Sequence, residues 1–185
     1  MDNKKRCKWV DLKSEIYIAY HDNEWGVPVY DDRKLFEMLI LESFQAGLSW
    51  ITILKKREAF KKAYDNFDYN KVINYDEDKI NELLENKDII RNKNKIKSSI
   101  SNAKIFVKIQ EEYGSFSNYI WSFTNGEIIK NKDDNFNTTS PLSDKVSMDL
   151  KKRGMKYVGS TIIYSYLQAI GIINDHELDC FKYKG

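Results

Sequence analysis

Apolar residues recur along this chain at three- and four-residue spacing, and small polar residues stand where each run begins. Asp31 or Asp32 opens a run over 33–42 in which Leu35, Met38, Leu39, Glu42 and Ala46 fall on one side at about 100° per residue. Ser49 opens a second, with Ile53, Phe60 and Tyr64 inward, and Asp76 a third, carrying Ile80, Leu83 and Leu84. A fourth runs near Lys93 to Tyr113, with Ile96, Ile100, Ala103 and Val107 inward, and Gly114 ends it. Ser117 is expected to cap a short helix over 119–123, and Asn125-Gly126 to form a turn. Ser143 caps a helix with Val146 and Leu150 inward, stopped by Gly154. Ser160 opens the last, with Ile163 and Leu167 inward, stopped by Gly171. No segment alternates with period two, and no repeat or linker interrupts the pattern. The expected fold is all-α, with short connections.

The chain has 185 residues and 42% apolar content, enough for one domain over 1–185 with a sizeable core. No stretch approaches the roughly 20 apolar residues of a membrane span. The basic start is followed by no apolar run and does not read as a signal peptide. Two cysteines at opposite ends point to a reducing, cytoplasmic compartment, and the protein is expected to be a monomer. Two prolines and eight glycines argue against a turn-rich β-sandwich or a Gly-rich nucleotide fold. The net charge is +2, but 91–108 holds six basic residues and no acid, while acids gather over 65–88. A second basic group is Lys151-Lys152-Arg153 with Lys156. This asymmetry suits a phosphate-binding face; it also suits a solvated helix in a lysine-rich protein.

The two His and two Cys pair as Cys7 with His21 and His176 with Cys180, the second pair spaced to share one face of a helical turn. Together they make the donor set of a closed, structural zinc site; two buried free cysteines and two unrelated histidines would fit the spacing as well. Glu42 is a carboxylate on an apolar helix face, and burying it unpaired is costly. It is either satisfied by backbone N–H or tyrosine hydroxyl groups, or it accepts hydrogen bonds from a cationic or donor-bearing ligand. Trp9, Tyr17, Tyr20, Trp25 and Trp50 crowd the same part of the chain, as a core or as a cage for such a ligand. A flipped nucleobase is one. The turn over 152–161, with Gly159 before a helix, leaves N–H groups free for a DNA phosphate, with Lys156 beside it, or is an ordinary helix–helix turn.

Three motifs resemble the DNA-3-methyladenine glycosylase I family. They are Tyr17-Ile18-Ala19-Tyr20-His21-Asp22-Asn23-Glu24-Trp25-Gly26-Val27-Pro28, then Gln45-Ala46-Gly47-Leu48-Ser49-Trp50-Ile51-Thr52-Ile53-Leu54-Lys55-Lys56-Arg57. The third is Leu150-Lys151-Lys152-Arg153-Gly154 with Val158-Gly159 and Asn174-Asp175-His176. The resemblance spans the chain from Cys7 to Cys180. It implies a helix-hairpin-helix glycosylase fold whose termini are joined by one structural zinc on Cys7, His21, His176 and Cys180. It implies that Glu42 contacts the base and carries the catalytic role, with Trp9 and Trp50 sandwiching the base and Tyr17 and Tyr20 lining the pocket. It implies that Gly47 and Leu48 fill the gap left in the duplex and that Gly159 fits the superfamily hairpin; Lys156, from its charge and place at that turn, is expected on the backbone. The partner would be double-stranded DNA carrying alkylated bases. The reaction would be hydrolysis of the N-glycosidic bond of 3-methyladenine, leaving an abasic site, with no lysine nucleophile and no strand cleavage. Tyr157 stands where the superfamily hairpin usually has a glycine. Asp175 reads as a group behind the zinc ligands and not as a base. A non-catalytic zinc-stabilised DNA-binding module, or a glycosylase for another lesion, are the rival functions. The segment 131–143 carries no motif.

Overall fold

The structure, a computed structural model, describes residues 4–45, 47–130 and 137–183. Its frame is helical: α1 (Glu15–Asn23), α2 (Asp32–Gln45), α3 (Trp50–Ala63), α4 (Tyr69–Val72), α5 (Glu77–Glu85), α6 (Lys93–Tyr113), α7 (Phe116–Ser122), α8 (Pro141–Lys152) and α9 (Ser160–Ala169). Two short strands, β1 (Ile129–Lys130) and β2 (Ile173–Asn174), pair in parallel. With two residues each, neither leaves a period-two signal in the sequence.

α2 is the axis of the fold. Leu35, Phe36, Met38, Leu39, Ile40, Leu41 and Phe44 are all buried, so this helix is covered on every side. It packs against α3, α6, α7 and α9. Its start is fixed by Asp31, whose carboxylate accepts from the Lys34 N–H at 2.8 Å. The Asp32 carboxylate reaches away and accepts from the N–H groups of Phe116 and Ser117, both at 2.8 Å. Asp32 thereby caps α7 from another helix. That displaces the expected cap: Ser115, not Ser117, accepts from Asn118 and opens α7. A similar shift occurs at α8, where Ser140 is the cap, Pro141 takes the first helical position, and Ser143 closes a reciprocal capping box. Ser143 is therefore three residues inside its helix.

α1 has no amphipathic signature, because what it buries is Tyr20 and His21 and not an aliphatic stripe. Ala46, expected on the face of Glu42, lies outside the described residues, as does 131–136 of the motif-free segment.

α8 and α9 form a tight helical hairpin. Its connection is staked by side chains. Ser147 Oγ donates to the Val158 carbonyl at 2.6 Å. The Asn102 amide, from α6, binds both the N–H and the carbonyl of Lys156, at 2.9 and 2.8 Å.

Candidate active site

The first and last segments of the chain meet beside α1. Phe181 N–H donates to the Lys5 carbonyl at 2.8 Å, and Lys8 N–H donates to the Glu177 carboxylate at 2.9 Å. Between them lie Cys7, His21, His176 and Cys180, all buried, with their ligand atoms within 4.8 Å of one another. This cluster could hold a metal ion. Cys7 Sγ is 3.5 Å and Cys180 Sγ 3.6 Å from His176 Nδ1, and Cys180 Sγ is 3.4 Å from His21 Nε2. His176 and Cys180 share no helix; they sit in a turn closed by the Cys180 N–H on the Glu177 carbonyl. The spacing of four residues works here through that turn.

The nitrogens facing away from the cluster are held as well. His21 Nδ1 is 2.8 Å from Asp22, and Asp22 is gripped by the Arg6 guanidinium at 2.6 Å. His176 Nε2 is 3.3 Å from the Trp25 carbonyl. Asp22 is the carboxylate behind a histidine; Asp175, expected in that place, accepts from Tyr164 at 3.0 Å and from Gln168. Backbone N–H groups of Glu177 and Lys182 point at the sulfurs of Cys7 and Cys180. Burial raises the Cys7 thiol far above its ordinary value, and burial next to His21 lowers His176 to about 4. Both imidazoles are therefore disposed to be neutral, as metal ligands must be. Gly26 seals this region: its φ is +74°, and a Cβ there would come 2.9 Å from His176 Nε2.

The aromatic cluster is built directly on this cysteine–histidine cluster. Trp25 meets His176 edge-on at 4.6 Å between ring centroids and Trp9 at 4.9 Å. Trp9 in turn meets Tyr17 at 5.2 Å, and Tyr20 meets Trp50 at 5.5 Å. The indole N–H groups of Trp9 and Trp50 are buried and have no hydrogen-bond partner among the described residues, so packing alone orients these rings.

Glu42 comes into this neighbourhood from α2 and is 3% exposed. Among the described residues its carboxyl has no hydrogen-bond or ion-pair partner, so the backbone and tyrosine partners that would have satisfied it are not there. Burial alone raises it to about 8. Tyr20 lies close enough that, after burial, Glu42 is the next influence raising the phenol. The turn after α2 follows at once. Gly47 takes φ +84° with open space around it, and Leu48 is exposed at its tip. Gln45 holds the turn by donating its side-chain amide to the Leu48 carbonyl at 2.7 Å.

At the hairpin, Lys156 and Tyr157 are exposed and Gly159 precedes α9. A groove of about 740 Å³ runs between this turn and α6, lined by Lys97, Ser101, Lys151, Lys156 and Gly159 among others. Tyr157 takes φ +56°, the left-handed conformation a glycine would supply, so the turn keeps its course without one. The basic stretch 91–108 is not one uniform face. Lys95 is buried against the Phe44 carbonyl, and Lys97 pairs with Glu77 at 2.8 Å. Arg153 is tied to Asp149 and Glu112.

Residues that sequence reasoning passed over include Arg6, Asp22, Gly26, Lys95 and Asn102. Asp22 had a signal in its place directly after His21; Lys95 and Asn102 had none, because their partners are distant in sequence.

Such a geometry defines a helical protein that presents a buried carboxyl and an aromatic cluster next to a basic hairpin. Its relatives are consistent with one another. The profile of the methyladenine glycosylase family matches residues 9–183. The chain is 44% identical to DNA-3-methyladenine glycosylase 1 of Escherichia coli K12, over 98% of both chains. A crystal structure of 3-methyladenine DNA glycosylase I superposes with TM-score 0.93 and 45% identity, covering 97% of this chain and 100% of the other. A Staphylococcus aureus 3-methyladenine DNA glycosylase I, solved to show how 3-methyladenine is recognised, gives TM-score 0.90 and 37% identity over 94% of each chain. The chain belongs to the methyladenine glycosylase family.

Proposed function

We propose that this protein is a monofunctional DNA glycosylase that removes 3-methyladenine from alkylated double-stranded DNA, as a single catalytic unit over 1–185. The observation that carries it is Glu42, a buried carboxyl with no partner among the described residues, close to Tyr20, which itself meets Trp50. Methylation at N3 gives the adenine a positive charge and weakens its N-glycosidic bond, so the leaving base needs no protonation. The protein has three tasks: extract the base, hold it, and admit water to the sugar. Water forms the new bond to the anomeric carbon. The base departs with the glycosidic electron pair and loses its charge, and the proton of the water passes to solvent.

Glu42 is the residue we assign to the base. At rest it is largely protonated at neutral pH, since burial raises it to about 8. An incoming cation favours the carboxylate, which then accepts from the N–H edge of the base. Trp9 and Trp50 stack on the base, a contact worth about 0.5–2 kcal/mol for a cation against an aromatic face. Tyr17 and Tyr20 line the pocket. Leu48, on the turn at Gly47, fills the space the base vacates. We read α8, its turn and α9 as a helix-hairpin-helix element, with Lys156 and the N–H groups near Gly159 on a DNA phosphate.

We assign the cysteine–histidine cluster to one structural zinc. Tetrahedral zinc with Zn–S of about 2.3 Å and Zn–N of about 2.05 Å sets its sulfurs and nitrogens about 3.6 Å apart. The three sulfur–nitrogen separations of 3.4, 3.5 and 3.6 Å match that edge. Two thiolates and two imidazoles fill all four positions, so the ion would join the two ends of the chain and activate no water. Cys7 and Cys180 are buried and form no disulfide, which suits a reducing cytoplasm.

Duplexes carrying single defined lesions test the assignment. Release of free 3-methyladenine, leaving a site that breaks only on later alkali treatment, is expected. Tight binding with no base released would indicate a non-catalytic module. Faster release of another base would reassign the lesion.

A further inference from the structure

Lys95 on α6 is only 8% exposed, and it stands between the two parts of the site. Its ammonium donates to the Phe44 carbonyl at 2.8 Å, in the last turn of α2. That carbonyl is two residues beyond Glu42 and three before Gly47. The same ammonium lies 5.9 Å from the ring centroid of Tyr157, the hairpin residue at φ +56°. Seven residues along α6, on the same face, Asn102 binds both polar atoms of the Lys156 peptide. One helix thus grips the end of the Glu42 helix and the hairpin turn. A methionine would pack α6 against α2 without desolvating a charge. The charge is placed where it complements the carbonyl end of α2 and faces an aromatic ring.

We propose that Lys95 is a positioning residue that holds the end of α2 and the turn carrying Gly47 and Leu48 in register with the hairpin. Seating of the hairpin on the DNA backbone and entry of Leu48 into the duplex then form one event. The inference rests on the proposed glycosylase function. It assigns Lys95 no contact with the base.

The test is a double-mutant cycle of Lys95→Met and Leu48→Ala, read by single-turnover release of 3-methyladenine from duplex DNA. Binding of the free base, followed by tryptophan fluorescence, is the second readout. Lys95→Met should slow release by about tenfold, the size expected for linked residues. It should leave free-base binding unchanged, and Lys95→Arg should recover most of the rate. In the Leu48→Ala background Lys95→Met should add little. Should Lys95→Met fail to fold, Tyr157→Leu loosens the same link from the hairpin side and enters the same cycle. Multiplicative effects of the two substitutions would overturn the inference, as would equal losses of release and free-base binding. A wild type that releases 3-methyladenine no faster than Lys95→Met overturns this inference alone. A wild type that releases none overturns the glycosylase assignment and this inference with it.

Discussion

Replacing Glu42 by glutamine should remove a large part of the protein's loss of stability with rising pH. Glu42 is 3% exposed, and burial raises its carboxyl from 4.5 to about 8. Between those values the native state keeps a proton that the unfolded chain has released. The unfolded state then binds fewer protons, and stability falls as pH rises. An interval of about 3.5 units at about 1.36 kcal/mol each gives a loss on the order of 5 kcal/mol by pH 8. Whole domains are stable by only about 5–15 kcal/mol, so even half of that is readily measured. Asp22, Glu24 and Asp149 act in the opposite sense. Burial raises each, but bonds to Arg6, Arg57 and Arg153 outweigh it, and their stabilisation is lost as pH falls through their lowered values. Those groups are common to both proteins and cancel in the difference. Urea unfolding of wild type and Glu42→Gln at about pH 5, 6.5 and 8 isolates the effect. Wild type should lose about 2 kcal/mol relative to the variant over each step. A difference that stays constant across the range would refute the reasoning, because it would mean that Glu42 is ionised or paired in the native state.

Cys180→Ala should release the proposed zinc and lower the melting temperature by on the order of 10 °C, since ligand loss removes folding free energy. Because Trp25 joins His176 to Trp9, the same variant should also weaken binding of the free base; wild type purified free of metal and equally stable would contradict both. Gly26→Ala should reduce metal content, measured by elemental analysis, because its Cβ would press on His176 and its φ of +74° is strained for alanine. Lys156→Ala should weaken DNA binding evenly across sequences and flatten its log–log salt dependence by about one unit. An unchanged slope would make Lys156 a solvated lysine.

The helical frame was legible because most of its helices bury aliphatic faces at regular spacing, as α5 does with Ile80 and Leu83. The left-handed run Asp65, Asn66 and Phe67, at φ 50° to 55°, was not, because no local pattern announces it. Nor was α1, whose buried residues are Tyr20 and His21. The cap of α7 went astray where a distant side chain intervened, since Asp32 serves that helix; the start of α8 moved for a local reason, to Ser140 beside Pro141. The cysteine–histidine cluster that could hold a metal ion was visible in the scarcity of its residue types, since two His and two Cys leave one obvious set of four. Glu42 stood out by breaking an apolar face. Lys95 and Asn102 looked like ordinary polar residues of a basic helix, because what they hold lies about fifty residues away in either direction.

The most direct test is a fluorescence titration of the protein with 3-methyladenine and with adenine. Free 3-methyladenine is neutral at pH 7 but keeps the shape and donor edge of the excised base. It should quench the tryptophan signal saturably, while adenine, lacking the methyl group, should bind much more weakly. Glu42→Ala should erase the difference while fold and metal content stay intact. Equal responses to the two bases, or a variant that discriminates as well as wild type, would contradict the assignment of Glu42 to the base and leave it a buried carboxyl of the core.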